Sequence, residues 1–293
     1  MGTLNLEGIK GYINANKDVI VSKVIALADS TKYLQIQNGV TTDTSIHGLI
    51  TEITVQDGKS CGFTADGSQT VTDRRLEPAF LKVNHEYCPK DFLNTYKHYE
   101  TQVAMGKSAL PLEEALVQDV LTSIANENER LIWSGNKAGG DLLDGLTTLI
   151  NKDGEVTTIT KGGSVYERVV ELYKNIKDKR TVAVLSAPLY RELVMELVEK
   201  NLYHYNAQEG EEMVLTFPGT NFKVYGIEGI KAEDTNIYGL IWEETFVGMD
   251  NADDAAMFDL FWSEDDRVYK LVVEWALAVN YMFSEKIMVV KNA

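Results

Sequence analysis

The chain has 293 residues, 44% hydrophobic and 25% charged, with 9% aromatic and only five prolines. That composition belongs to a folded chain of one elaborate domain or about two ordinary ones, and it excludes disordered and collagen-like proteins. A formal net charge of −16 argues against a protein that grips nucleic acid by neutralising phosphates.

No run of 18 apolar residues occurs. The most apolar stretch, LVVEWALAVNYMF (271–283), is interrupted by Glu274 and Asn280, so no membrane-spanning helix is expected. The start, MGTLNLEGIKGYINANKD, lacks a basic head before an apolar core, and Leu6 breaks the myristoylation pattern. Two cysteines, Cys61 and Cys88, read as small buried thiols in a reducing compartment.

In chain order, residues 1–46 hold one weakly amphipathic helix, DVIVSKVIALADSTKYLQ (18–35), among Gly- and Asn-rich segments; this is an arm rather than a domain. Residues 47–95 contain Asp57-Gly58 and Asp66-Gly67 between strand-forming runs, which predicts hairpin turns, since type I′ turns need positive φ. Leu49, Thr51, Ile53 and Val55 alternate with Ile50, Glu52, Thr54 and Gln56, and TVTDRRLE follows, polar on both faces. Such a two-stranded ribbon with two wet faces is marginal alone in water and makes sense lying against another molecule.

Pro111 opens the clearest helix, PLEEALVQDVLTSIANENERLIWSG, with Glu113 and Glu114 in the first turn and Gly135 at the stop. Leu116, Val120, Ile124, Leu131 and Ile132 form its apolar stripe, and about 24 residues at ~1.5 Å each make a rod of roughly 36 Å. A small α/β unit follows at about 155–240. Its parts are a capping box Ser164–Glu167 opening SVYERVVELYKNI, a buried strand TVAVLS, a helix begun at Pro188, and two strands about Pro218-Gly219. Finally RVYKLVVEWALAVNYMF (267–283) alternates at period two. Tyr269, Leu271, Val273, Trp275, Leu277, Val279, Tyr281 and Phe283 share one face, whose natural partner is the long helix; a bend is expected near Ala276–Ala278.

Residues 248–266, GMDNADDAAMFDLFWSEDD, carry seven carboxylates and no Lys or Arg. An EF-hand fails in both registers, because Ala252 stands at position 3 counted from Asp250 and Ala256 at position 6 counted from Asn251. In AMFDLFW, Phe258, Leu260 and Trp262 share a strand face, with Asp259 opposite, so the acids read as a solvated or partner-facing edge. Gly106-Lys107-Ser108 lacks the Gly a P-loop needs five residues earlier, where Thr101 stands. His85 with Cys88 is a lone pair without a second metal-binding pair, and no G-x-S-x-G or G-x-G-x-x-G occurs. No catalytic, cofactor or metal residue is assigned.

The order of arm, wet ribbon, long helix, α/β unit and long two-faced strand resembles the major capsid proteins of tailed phages with the HK97-type fold. In that α+β fold an N-terminal arm precedes an extended E-loop, a spine helix, an A-domain and a strand returning to a peripheral P-domain. The nearest local match is ENERLIWSGNKAGGDLLDGLTTLI (127–150), where Glu129, Leu131, Ile132, Gly135, Gly145 and Leu146 occupy the family's places at the end of the spine helix. The closing DDRVYKLVVEWALAVNYMFSEKIMVV is similar to the family's last P-domain strand and terminal segment.

The resemblance implies an arm at 1–46, an E-loop at 47–95, a P-domain at 96–153 plus 256–293, and an A-domain at 154–255. It implies a structural, non-enzymatic subunit without cofactors, assembling with itself into hexameric and pentameric capsomers of an icosahedral virion shell. That shell would form in the bacterial cytoplasm and enclose DNA without reading its sequence, and an acidic wall suits such contents. Further implied partners are a portal, possible decoration proteins and a scaffold, the last expected as a separate protein because Met1 stands close to the arm. Some relatives join subunits by a Lys–Asn bond, for which Lys59 and Asn280 are the residue types available. Residues 233–266 hold eleven acids and no base, while the ribbon offers Arg74 and Arg75. Candidate inter-subunit contacts are therefore Arg74, Arg75, Lys59, Asp250, Asp253 and Asp254, setting register more than affinity. Alternatives are an encapsulin-type cargo shell, a metal-dependent hydrolase built on the 250–266 carboxylates, and a non-assembling binding module.

Overall fold

The computed structural model describes residues 28–58, 66–88, 112–202, 213–250 and 257–293. Among the described residues are thirteen strands in three sheets, four α-helices and four short 3-10 turns. Most of the expected helix 18–35 lies outside the described residues; Asp29–Lys32 is a 3-10 turn and Gln35–Gln37 is strand β1.

The ribbon is β2 (Thr44–Ile53) paired antiparallel with β3 (Gly67–Leu76), and the two form a sheet of their own. Its last register pair is Ile53 with Gly67. Asp66-Gly67 is therefore not a two-residue turn, since Gly67 already belongs to β3. Gly67 instead closes the ladder at φ 117°, where a Cβ would fall 2.5 Å from the Glu52 carbonyl oxygen. Side-chain alternation separates the ribbon's faces. Near the root, Ile46 and Gly48 are buried and Ile50 is half-buried, while His47, Leu49 and Thr51 between them are exposed. The covered face rests on Val40, Ala278, Met282 and Phe283. Only the outer half of the ribbon has two wet faces.

Helix α1 (Leu112–Ser134) and strand β12 (Val268–Tyr281) build the centre. As the alternation requires, Leu271, Val273, Trp275, Leu277, Val279 and Tyr281 are buried, in one core with Leu121, Ile124, Leu131, Ile132 and Trp133 of the helix. Trp275 Nε1 donates to Asn128 Oδ1 at 3.0 Å, satisfying two buried polar groups at that seam. β12 runs unbroken where a bend was expected. Its neighbours change there: β4 (Ala79–Tyr87) lines one edge over 269–277, while the other edge passes from β11 (Met257–Ser263) to β10 (Thr245–Met249). β1 adds in parallel to β10.

The third sheet has the order β5-β13-β9-β6-β8-β7: Thr157–Thr160, Met288–Lys291, Ile237–Leu240, Val182–Ser186, Lys223–Ile227 and Val214–Thr216. The terminal strand β13 thus enters this sheet, tying the chain end into the α/β unit. Helix α2 (Leu146–Lys152) lies between the spine and this sheet in sequence, and α3 (Val165–Asn175) and α4 (Ala187–Glu199) pack against the sheet. Ser164 caps the helix as its position implies, its Oγ accepting from Glu167 N at 3.3 Å. The Glu196 carboxylate of α4 accepts from Val165 N and Tyr166 N at 3.0 and 2.8 Å, satisfying donors that a helix start leaves open.

Candidate assembly interface

The end of α1 explains the WSG…DGL spacing. Gly145 N donates to the Gly135 carbonyl at 2.9 Å. A Cβ on Gly145 would fall 2.6 Å from Leu131 O, and one on Gly135 would fall 2.7 Å from both Leu131 O and Leu143 O. Two backbones approach here so closely that only glycine fits. Thr147 Oγ1 donates to Trp133 O and Thr148 Oγ1 to Gly135 O, capping carbonyls that the helix end leaves free. Arg130 is clamped between Glu127 and Asp141, its Nη2 2.7 and 2.8 Å from their carboxylate oxygens, so the loop after the helix is tied back to it.

The descending arm is wedged against the same helix. Ser30 N donates to Glu129 Oε2 at 3.0 Å, Ser30 Oγ donates to Glu129 Oε1, and Trp133 Nε1 donates to Ser30 Oγ. Burial pushes the Glu129 carboxyl above the usual range, against the lowering effect of the Ser30 hydrogen bonds. Tyr33 stacks on Trp242 at 5.3 Å and meets Tyr225 edge-on at 4.9 Å.

The ribbon root is held by Asp153. Its Oδ2 accepts from Arg74 Nη2 at 2.7 Å, Tyr281 OH at 2.7 Å and Ser284 Oγ at 2.9 Å, and its Oδ1 accepts from Glu155 N at 2.9 Å. Arg74 also donates to Ser284 Oγ, and its guanidinium lies 4.6 Å from the Tyr281 ring centre. Burial disfavours the charged carboxylate, but these donors outweigh it and hold Asp153 well below the usual carboxylate range. Arg74, expected to face a neighbour, therefore has its partners within the subunit. Its position at the covered root, opposite buried Ile46, brings it to the body.

Of the other expected contact residues, Arg75 is exposed on the opposite ribbon face. Lys59, Asp253 and Asp254 lie outside the described residues. Asp250 is buried at the end of β10, with its Oδ2 lacking a hydrogen-bond partner among the described residues. Asn280 Nδ2 donates to Arg75 O at 2.7 Å, so this residue joins the ribbon root to β12. The acidic edge is partly internal: Glu244 receives Arg180 and Lys286 at 2.8 and 2.7 Å, and Asp266 pairs with Lys270. Asp259 is exposed on β11, as its alternation implies, whereas the side chains of Phe258, Leu260 and Trp262 lie outside the described residues. Among the described residues no three His, Cys, Asp or Glu side chains form a group that could hold a metal ion. Asp153, Ser284, Ser30 and Tyr33 were not singled out from the sequence.

What remains open to a partner is the outer ribbon. Ile53 is 80% and Val71 65% exposed. A cleft of about 440 Å³ opens at its root between Thr72, Arg75, Glu77, Glu155, Asn280 and Glu285.

No protein-family model matches the chain, and no curated protein matches it by sequence. Solved structures do match by shape. The procapsid of satellite phage P4 with its size determination (Sid) protein aligns at TM-score 0.63 and 9% identity, over 100% of this chain and 98% of that one. The capsid of a native GTA particle aligns at TM-score 0.60 and 12% identity, over 91% and 90%. The holo-SrpI encapsulin complex from Synechococcus elongatus PCC 7942 aligns at TM-score 0.55 and 11% identity, over 90% and 86%. The fold is the HK97-type shell fold. Identities this low establish the architecture and nothing finer.

Proposed function

We propose that this chain is the major capsid protein of a tailed bacteriophage, a structural subunit that assembles with copies of itself into an icosahedral shell around double-stranded DNA. The observation that carries the reading is the ribbon. Ten residues per strand project as a separate two-stranded sheet whose outer half, Leu49, Ile53 and Val71 included, is exposed. An isolated hairpin of this kind gains too little from its own contacts to order itself in water, and a neighbouring subunit would offset that cost. A net charge of −16 suits a wall that must not adhere to the DNA it encloses.

In this reading residues 1–46 are the arm, 47–95 the E-loop, 96–153 with 256–293 the P-domain, and 154–255 the A-domain, although β13 pairs within the A-domain sheet. Capsomers would be hexameric and pentameric, with a scaffold and a portal as partners. Arg74 and Arg75 would set register against the acidic 233–266 edge of a neighbour, Arg74 being held at the same time by Asp153 of its own subunit. The subunit acts by tiling, without catalysis, and its place is the virion.

The test is expression with and without a candidate scaffold, followed by electron microscopy and analysis of particle contents. Shells that package DNA support the reading. Shells filled with a specific enzyme would favour the encapsulin alternative, whose solved example has the same architecture. A compact monomer at every concentration would refute both.

A further inference from the structure

The arm is tied to β10 at two points, and the bridge between them carries a reactive pair. Register sets Ile36 opposite Val247 and Gln37 opposite Gly248, and Val40 N donates to Met249 O at 2.8 Å. Only Asn38 and Gly39 span the gap between these attachments. They form the one Asn-Gly pair in the whole sequence, and both are exposed, in a segment without regular structure.

In such a pair the backbone nitrogen of the second residue can attack the side-chain carbonyl carbon of the first, closing a cyclic imide. A β-carbon would shield that nitrogen, and glycine has none. Hydrogen bonds would restrain both groups. Among the described residues, neither the Asn38 side-chain amide nor the Gly39 N–H has a hydrogen-bond partner. Other exposed asparagines lack this combination. Asn126 lies within helix α1, and Asn175 Nδ2 donates to Glu171 O at 2.8 Å. Asn201 is followed by Leu202, whose N donates to Leu197 O at 2.8 Å. In Asp153-Gly154 the carboxylate is kept ionised by its converging donors, and an anion is a poor electrophile.

We infer that Asn38 is a site of spontaneous deamidation, with water as the co-reactant, and that its conversion loosens the arm from β10. Gly39 N bonds to Asn38 Cγ, and the side-chain nitrogen leaves as ammonia, taking the proton from Gly39 N. Water then opens the imide at one of its two carbonyls. One opening gives aspartate; the other gives isoaspartate, in which the main chain runs through the former side chain. No oxidation or reduction is involved, and either product carries a negative charge that Asn38 lacks.

Isoaspartate lengthens the main chain by one carbon between residues 38 and 39, and one of the two attachments must yield. The Val40 side has no slack. Val40 is 1% exposed and packs with Ile46, Leu76 and Phe283 at the ribbon root. A Cβ on Gly248 of β10 would fall 3.1 Å from Val40 Cγ2, so that strand already lies close against it. β1 can yield: its three residues are all exposed, and among the described residues it pairs with β10 alone. Conversion therefore frees Gln35–Gln37 while Val40 stays seated, a slow and one-way change in how the arm is held. The inference stands apart from the shell reading.

The test keeps the full-length chain at 37 °C and mildly alkaline pH for weeks and follows it by peptide mapping in a mass spectrometer, with isoaspartate detected by its enzymatic methylation. Asn38 should convert at least tenfold faster than Asn126, Asn175 and Asn201, with isoaspartate as the larger product. Conversion no faster than at those three, or aspartate without isoaspartate, overturns the assignment. Amide exchange reads the consequence. It should rise at residues 35–37 of the aged chain, with residue 40 unchanged, and should not rise in aged Asn38→Gln, whose longer side chain closes the ring far more slowly. Gly39 is left in place because its φ of 77° suits glycine. Fresh and aged wild type give the same comparison should Asn38→Gln fail to fold. Exchange at 35–37 that stays flat while Asn38 converts overturns the loosening of the arm.

Discussion

Replacing Asp153 by Ala removes the acceptor on which three side chains and one backbone amide converge. Arg74, Tyr281, Ser284 and the Glu155 amide would all lose their oxygen at once. Each hydrogen bond to a charged group contributes roughly 1.5–3 kcal/mol. The four are not additive, and solvent reaches Arg74, whose side chain is 24% exposed. A total of about 3–5 kcal/mol, the usual cost of breaking a mostly buried ion pair, is the expected result. Unfolding entropy scales with length, so for a chain of 293 residues each kcal/mol moves Tm by roughly 1.5–2 °C, and a fall of about 5–9 °C is expected.

Differential scanning calorimetry of the unassembled subunit measures the fall. Because the folded-state pKa of Asp153 is depressed, its stabilising effect is present above the unfolded value near ~3.9 and is lost only as pH falls through the lower folded value. The difference between wild type and Asp153→Ala should thus persist at pH 5 and shrink only well below pH 4. Amide exchange should rise selectively along residues 44–50 and 70–76. A Tm within 1 °C of wild type at pH 7, or unchanged exchange at the ribbon root, would refute the role assigned to this carboxylate.

Three further outcomes are expected. Gly145→Ala places a methyl group 2.6 Å from backbone atoms on either side and should cost at least 3 kcal/mol in urea unfolding, above the ordinary overpacking range of about 1–3 kcal/mol, because backbone cannot rotate aside. Burial raises the pKa of Glu129, so its protonated form favours the fold and that stability is lost as pH rises through the folded value. Stability of Glu129→Gln relative to wild type should accordingly improve from pH 5 to pH 7.5, and a flat difference would contradict this. Tyr33→Ala should lower stability by about 2–4 kcal/mol and alter tryptophan fluorescence, since Tyr33 lies on Trp242.

Much of the architecture could be read from local pattern. Period two from 267 to 283 marked β12 and its buried face, and an apolar stripe between Pro111 and Gly135 marked helix α1, because burial on one side imposes those periods on any sequence. The Gly135–Gly145 spacing could be matched to a family, but its cause, two backbones within van der Waals contact, appears only in three dimensions. Asp66-Gly67 misled: turn propensity places a turn there, and only register decides that Gly67 already lies in the ladder, facing Ile53.

The ribbon arginines show the same limit most sharply. Arg74 and Arg75 are adjacent and chemically identical, so the sequence alone marked both as exposed bases on a polar strand. A strand sends neighbours to opposite faces, and which face meets the body depends on the Ile46–Phe283 packing far along the chain. Composition, period and order determined that this polypeptide has a projecting ribbon, a spine and an apolar strand face. The tertiary structure decided which side of the ribbon is already occupied, because contacts between residues some two hundred positions apart leave no mark on local spacing.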